Sequence, residues 1–371
     1  MKFIPAKTRQ TILEIDVDAY RFNFNYFRNQ VKDSTKFVVI IKAFAYGAGI
    51  KNIAKVLENE KVAYLGVACV DEGVELKDAG IQQKIIIINP EPDGFEKLIE
   101  YGLEPVIYDF ESLRLFLDAL NSFRSFHKPY PIHIKVDSGM HRLGFYIDQI
   151  PQLTKELLDS EPLKVRSILS HLVASDNPKF DDYTRDQISL FKEISEKLIL
   201  TLGYPVDRHI LNSGGIERFP EGEFEMVRLG IGNYGISSDH AQLKNVYTWR
   251  TRVAQLKIVK KGESVGYNRA WFAERDSLIA TAFVGYGDGF NRLLSNGNWH
   301  MKWKGHKVPT VGSICMDLCM VDATGHDVKV GDDLVIFDCQ EEIFEMAKKM
   351  GTIHYEVLTN ISKRVKRVYK I

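Results

Sequence analysis

Lys42 follows the run Phe37-Val-Val-Ile-Ile41 and precedes Ala43-Phe-Ala-Tyr46-Gly47-Ala-Gly49. Five apolar residues, four of them β-branched, read as a strand buried on both faces, and an ammonium at its end is out of place. Such a lysine either snorkels to water or is a desolvated amine, nucleophilic enough to condense with an aldehyde. Tyr46, Gly47 and Gly49 add a phenol and a turn whose backbone can come close to a ligand. Further along stand Lys135 and Arg142, His171 after Ile168-Leu-Ser170, the pair Asn212-Ser213, and Arg228-Leu-Gly230-Ile231. Lys135 and Arg142, seven apart, can point into one cavity, where two bare cations repel. A guanidinium such as Arg228 donates hydrogen bonds but gives up no proton near neutrality.

These residues fall on a rhythm. Short β-rich runs at Val38–Lys42, Tyr64–Ala68, Lys84–Ile88, Glu104–Tyr108, Ile132–Val136, Val165–Ser170, His209–Leu211 and Met226–Leu229 alternate with helical segments. Those segments include Ile50–Glu58, Asp71–Ala79, Glu111–Ala119, Ile150–Leu158 and Asp182–Leu200. Eight such strands predict an α/β fold, a closed (β/α)8 TIM-like barrel, over residues 12–239. A doubly wound sheet is the alternative, but no Gly-x-Gly-x-x-Gly follows the first strand. In such a barrel the reacting groups gather at the C-terminal strand ends, where the residues named above stand.

After about Asp239 the alternation ceases. Val246–Lys260, Ser277–Val284, Val308–Ser313, Met320–Asp322 and Asp333–Phe337 read as strands, with helices near Glu341–Met350 and Tyr355–Val365. Residues 1–11 and 240–371 are therefore expected to form a mostly β domain, which the alternating Leu13–Val17 can also join. Asp18 is a plausible cap for the amphipathic run Tyr20 to Val31.

The 371 residues suffice for a barrel plus a second domain, and the formal charge is zero with no basic block. Nucleic acid and anionic membranes are poor partners for such a chain. No apolar run spans a bilayer and the N-terminus lacks a secretory h-region, so a cytoplasmic location is expected. Four scattered cysteines and ten histidines form neither a disulfide framework nor a metal-ligand pattern.

Lys42-Ala-x-Ala-Tyr46-Gly47-x-Gly49 resembles the pyridoxal-phosphate lysine motif of alanine racemases, with Phe44 where the family usually has Asp and Ala48 where it has His. The resemblance recurs along nearly the whole chain. Lys135-Val-Asp-x-Gly-Met-x-Arg142-Leu-Gly144 resembles the family's second motif, and implies that Lys135 carries a carbamate that holds Arg142. Arg142 would then meet the substrate carboxylate and the cofactor's phenolic oxygen. His171 would sit near the cofactor ring, and Asn212, Ser213, the Gly230 and Ile231 amides, Tyr46 and Tyr355 would hold the phosphate. Arg228, oriented by His209, resembles the arginine facing the pyridine nitrogen, which makes the cofactor a weak electron sink.

Racemisation needs a base on each face of the reacting carbon, and Lys42 serves one. Val265-Gly266-Tyr267 resembles the family's second base, Tyr267, contributed across a dimer interface, with Arg142 or His171 as the cation or donor that stabilises its phenolate. Gly285-Tyr286-Gly-Asp288-Gly289-Phe-Asn-Arg292 resembles a loop with an inner-gate tyrosine, and Cys315-Met316-Asp317 one whose methionine amide contacts the substrate carboxylate. Asp176 and Arg292 would form an outer polar ring, and Tyr355 would keep the substrate side chain small.

The resemblance thus implies a homodimeric isomerase with shared, head-to-tail sites that interconverts L-alanine and D-alanine for peptidoglycan, with pyridoxal 5'-phosphate as cofactor. Its rivals are a broad-specificity or serine racemase, a barrel decarboxylase of basic amino acids, which Arg228 opposes, and a non-catalytic cofactor-carrier barrel. The lysine motif is also similar to racemase segments fused behind a cell-wall ligase.

Overall fold

The computed structural model describes residues 10–60, 62–123, 129–160, 162–237 and 242–371. Eight parallel strands form one sheet: Lys36–Ile40, Tyr64–Val67, Lys84–Ile87, Glu104–Ile107, Tyr130–Lys135, Leu163–Leu169, Asp207–His209 and Met226–Leu229. The first strand pairs with the last in parallel, Lys36 opposite Met226 and Val39 opposite Leu229. Between the seventh and eighth strands the wall closes through the Arg228 amide, which donates to the Leu211 carbonyl at 3.0 Å. The result is the (β/α)8 barrel.

Near-continuous apolar strands such as Lys84-Ile-Ile-Ile87 are buried because helices cover the outside while side chains fill the inside. The helices Ile50–Leu57, Val70–Asp78, Phe110–Ser122, Ile150–Asp159 and Asp181–Leu202 lie within three residues of the expected segments. A shorter one, Phe95–Glu100, escaped prediction because six residues carry less than two turns of periodicity. The strand expected at His209–Leu211 spans Asp207–His209, two residues earlier.

The strand Ile12–Asp16 lies in the second sheet, not in the barrel where a boundary at residue 12 would place it. It runs antiparallel to Tyr247–Val259, Ile12 opposite Arg250, and parallel to Lys366–Lys370, Ile12 opposite Lys366. The helix after it is Val17–Arg28 and its cap is Asp16, whose carboxylate accepts from the Ala19 amide at 2.7 Å. Asp18, the expected cap, sits instead in the first turn, where its charge meets the positive end of the helix. The expected division at 239 and 240, like residues 1–9, lies outside the described residues.

The second sheet has eight strands, ordered Ser277–Ala282, Cys319–Asp322, His306–Val311, His300–Trp303, Asp333–Phe337, Tyr247–Val259, Ile12–Asp16 and Lys366–Lys370. Ser277–Ala282 also pairs with Tyr247–Val259, so six of the strands close on themselves. The helix expected over Tyr355–Val365 spans only His354–Thr359, and the chain then re-extends as the strand Lys366–Lys370. One apolar core runs through both sheets. Among the described residues no helix is long and apolar enough to cross a membrane.

Candidate active site

The strand Lys36–Ile40 ends two residues before Lys42, and the chain then winds the wrong way. Ala43, Phe44, Ala45 and Tyr46 all have positive φ, 52°, 56°, 54° and 49°. Four consecutive left-handed residues with side chains cost about 1–2 kcal/mol each, so the surroundings must hold them. The second domain does this with three donors on three successive carbonyls. Tyr247 Oη donates to Tyr46 O at 2.8 Å, Arg367 Nε to Gly47 O at 2.7 Å, and Tyr369 Oη to Ala48 O at 2.6 Å. Phe44 lies beneath the cations of Lys363 and Arg367, 5.0 and 5.2 Å from its ring centre. Gly49 has no freedom to change, because its φ is +99° and a Cβ there would meet the Tyr369 hydroxyl at 2.3 Å. None of these partners was visible in the sequence, because carbonyl-to-side-chain bonds between distant segments leave no periodic signal.

The turn delivers Lys42 into a cavity of about 490 Å³ at the C-terminal ends of the barrel strands. Burial lowers the amine's proton affinity, and the guanidinium groups of Arg142 and Arg228 lower it further against the opposing pull of Glu72. Glu72 is another residue the sequence did not reveal, its carboxylate accepting from the Ala68 amide at 2.9 Å. Lys135, 3% exposed, is also in the wall. Burial, followed by the charges of Arg142 and Arg228, pushes its amine down to about 8. The predicted crowding of cations in one cavity is therefore present, with Arg142 at the exposed rim.

Arg228 is buried and held at both terminal nitrogens. Nη1 donates to His209 Nδ1 at 3.1 Å and to His209 O at 2.9 Å. Nη2 donates to Ser170 O at 2.6 Å, Ile210 O at 2.9 Å and His171 Nδ1 at 3.1 Å. The remaining N–H, on Nε, makes no protein hydrogen bond among the described residues. Arg228 lines the cavity, so that donor is the one it can offer a ligand acceptor. Both histidines must present a lone pair to the guanidinium. Burial and, next, the charge of Arg228 hold each well below the ordinary imidazole range. His171 is therefore neutral. A neutral His171 can donate through Nε2 but cannot serve as a cation.

The anion cradle assembles beside it. Ser213 Oγ accepts from the Gly230 amide at 3.0 Å and the Gly232 amide at 3.1 Å, which leaves its own proton to donate. Asn212 caps the helix Ser213–Arg218, its Oδ1 accepting from Gly215 N at 2.9 Å and Ser175 Oγ at 2.7 Å. Asn212 thereby fixes the start of the helix on which Ser213 stands. A Cβ on Gly230 would stand 3.0 Å from the Tyr46 hydroxyl, so glycine keeps that hydroxyl beside the amides. Tyr46, Ile231 and Tyr355 line the same cavity, and burial pushes the Tyr355 phenol up to about 12, leaving it a donor. Hydroxyls, amides, an amine and a guanidinium Nε–H in one cavity fit a phosphorylated aldehyde with a ring nitrogen.

Asp176 and His171 also line this cavity, while His209 stands behind Arg228. The other predicted residues do not line it. Tyr267 is 69% exposed, on a turn opened by Gly266 at φ +80°. Tyr286 and Met316 belong to two loops joined by the Tyr286 amide on Cys315 O and the Gly287 amide on Met316 O, both 2.9 Å. Arg364 ties these loops, reaching Asp288 and Asp317 at 2.8 Å each. Arg292, on the turn Arg292–Leu294, also lies away from the cavity, so Asp176 and Arg292 form no ring within one chain. Asp338, Cys339 and Glu342 cluster elsewhere, and the Lys302 ammonium bridges both carboxylates.

Fold and site together define a barrel enzyme of the Schiff-base-lysine class, with the amine and an anion cradle lining one cavity. Residues 15–238 match the family model of the alanine racemase N-terminal domain, and residues 246–369 that of the C-terminal domain. The chain is 35% identical to the alanine racemase of Halothermothrix orenii, over 98% of this chain and 97% of that one. Its fold matches the alanine racemase of Clostridium difficile 630 with a TM-score of 0.92 at 33% identity, covering 98% and 97% of the two chains. It likewise matches the Bartonella henselae alanine racemase, solved with covalently bound pyridoxal phosphate, with a TM-score of 0.87 at 30% identity over 99% and 100%. The chain belongs to the alanine racemase family.

Proposed function

We propose that this chain interconverts L-alanine and D-alanine with pyridoxal 5'-phosphate held by Lys42, and that each active site is completed by Tyr267 of a second copy. The observation that carries this reading is the pairing of Lys42, an amine with depressed proton affinity, with Arg228, a guanidinium that has one N–H left to offer, in a single cavity. When bound, the cofactor supplies an aldehyde and a conjugated ring that acidifies the α-hydrogen of an attached amino acid.

The chain's own residues do the rest. Ser213, the Ile231 amide, Tyr46 and Tyr355 would hold the phosphate, while the Gly230 amide, bonded to Ser213 Oγ, turns the serine hydroxyl toward it. Arg228 would offer its Nε–H to the ring nitrogen without giving up the proton, which would limit how much charge the ring draws and disfavour side reactions. Lys42 Nζ takes or returns the α-proton on one face, and Tyr267 Oη does so on the other. Arg142 holds the substrate carboxylate and supports the Tyr267 phenolate. Lys135, with its amine pushed down to about 8, has a far larger neutral fraction than an ordinary lysine, and only the neutral amine adds carbon dioxide to give the carbamate that would hold Arg142.

Support for a homodimer lies in the division of the site. Tyr267, Tyr286, Met316, Arg292 and Asp317 stand apart from the cavity of their own chain, on exposed turns of the second domain, and a two-fold partner can present them to it. Co-expression of Lys42→Ala and Tyr267→Phe chains tests this directly. Each variant alone is inactive, whereas random pairing makes half the dimers mixed, each with one intact site. Activity should return to about a quarter of the parent. No return on mixing, with both proteins folded and mixed dimers present, would exclude the shared site.

A further inference from the structure

Behind Arg228 a line of polar side chains crosses the barrel interior, where such folds ordinarily stack branched apolar residues. His209 Nε2 lies 2.8 Å from Ser167 Oγ, Ser167 Oγ 2.6 Å from His133 Nδ1, and His133 Nε2 3.0 Å from Glu104 Oε2. With the 3.1 Å bond from Arg228 Nη1 to His209 Nδ1, four hydrogen bonds join a guanidinium to a carboxylate. All five side chains are buried. The strands hold the line in register: His133 sits opposite Ser167, and Val106, two residues beyond Glu104, opposite His133.

The ends dictate the direction of every bond. A guanidinium has donors only, so His209 must offer the lone pair of Nδ1 and carry its proton on Nε2. That proton goes to Ser167 Oγ, whose hydroxyl is then turned toward His133 Nδ1. His133 in turn carries its proton on Nε2 and donates to the acceptor Glu104 Oε2. The Tyr64 hydroxyl also bonds to Glu104, which fixes the carboxylate. Each donor in such a chain polarises the next, so the terminal charge strengthens the acceptor at the other end.

We propose that Glu104 is a positioning residue for the racemase reaction, acting on Arg228 through His133, Ser167 and His209 and so on the hydrogen bond that Arg228 offers the cofactor's ring nitrogen. This rests on the assignment of Arg228 to that nitrogen. With the carboxylate in place, every bond of the line has one direction and the His209 ring is held against Arg228 Nη1; with a neutral amide there, His133 can reverse and Ser167 no longer has a fixed direction.

The test begins on the unaltered holoenzyme, by 15N-histidine NMR. Both His133 and His209 should carry their proton on Nε2; a proton on Nδ1 of either would overturn the proposal outright. Glu104→Gln and Ser167→Ala should then each shift the absorbance of the bound cofactor and lower kcat about tenfold, the scale typical of residues that orient a site's direct ligands, with KM little changed. Ser167→Thr, which keeps the hydroxyl, should restore both. Unchanged kcat and absorbance in folded Glu104→Gln or Ser167→Ala would reduce the line to a packing feature and sink the proposal. A parent that neither binds cofactor nor racemises alanine would overturn the functional reading, and the histidine spectra would still report the direction of the line.

Discussion

At the scale of single residues, Lys42 and Lys135 share one cavity with Arg142 and Arg228, and each amine responds to the others' charge. For Lys135 the consequence can be measured on the folded protein alone. Its proton affinity falls from the ordinary 10.5 to about 8 on folding. Between those values the unfolded chain binds more protons than the folded one, so the contribution of Lys135 to stability rises with pH over that window. Below pH 8 its buried charge costs the fold about 3 kcal/mol. In carbon-dioxide-free buffer, the stability difference between the parent and Lys135→Met should therefore shift in the parent's favour by about that amount from pH 8 to 10.5. A flat difference in denaturant titrations would mean that the amine is not desolvated. Bicarbonate should remove most of the shift, since a carbamate has no such amine to titrate.

At the scale of elements, the left-handed turn Ala43–Tyr46 is where local preference and tertiary structure oppose each other most strongly. Glycine normally weakens regular structure, but at φ 52° it escapes the steric cost that alanine bears. Ala43→Gly is expected to leave the protein unharmed or raise its stability by up to about 1 kcal/mol in thermal unfolding, the reverse of the usual sign. The three donors from the second domain act the other way. Tyr369→Phe removes the hydroxyl on Ala48 O and leaves that carbonyl unpaired, at a cost of about 1–3 kcal/mol. It should also slow recapture of cofactor by apoprotein, followed by absorbance, because Lys42 is then less firmly presented. A variant with normal stability and normal recapture would show that the turn holds itself.

At the scale of the whole molecule, the second domain does two jobs for the barrel in its own chain and, on our reading, a third for its partner. Its strands Tyr247–Val259 and Lys366–Lys370 supply the clamps on the lysine turn, and its exposed turns carry Tyr267 and Met316. A barrel cut after residue 237 would lose all three carbonyl donors as well as both strands that pair with Ile12–Asp16. Such a fragment should lose the lysine-bound cofactor absorbance, not only turnover. Retention of that absorbance by the isolated fragment would show that the barrel presents Lys42 unaided.

What the sequence by itself determined was the part written in local pattern and short motifs. The βα rhythm named the barrel because strand and helix periods are properties of neighbouring residues. Lys42, Ser213, Arg228 and Gly230 could be found because strand ends in a barrel place chemistry at predictable positions. The resemblance of the motifs supplied the roles proposed for them. What only the tertiary structure decided depended on segments distant in the chain: the sheet that takes Ile12–Asp16, the clamps from Tyr247, Arg367 and Tyr369, and the line from Arg228 to Glu104. The separation of Tyr267 from its own chain's cavity belongs with these. Each is a contact across tens to hundreds of residues, and a single polar side chain on a strand looks the same in sequence whether it meets water, a carbonyl or a buried imidazole. Only the folded barrel, by excluding water, compels those groups to find one another.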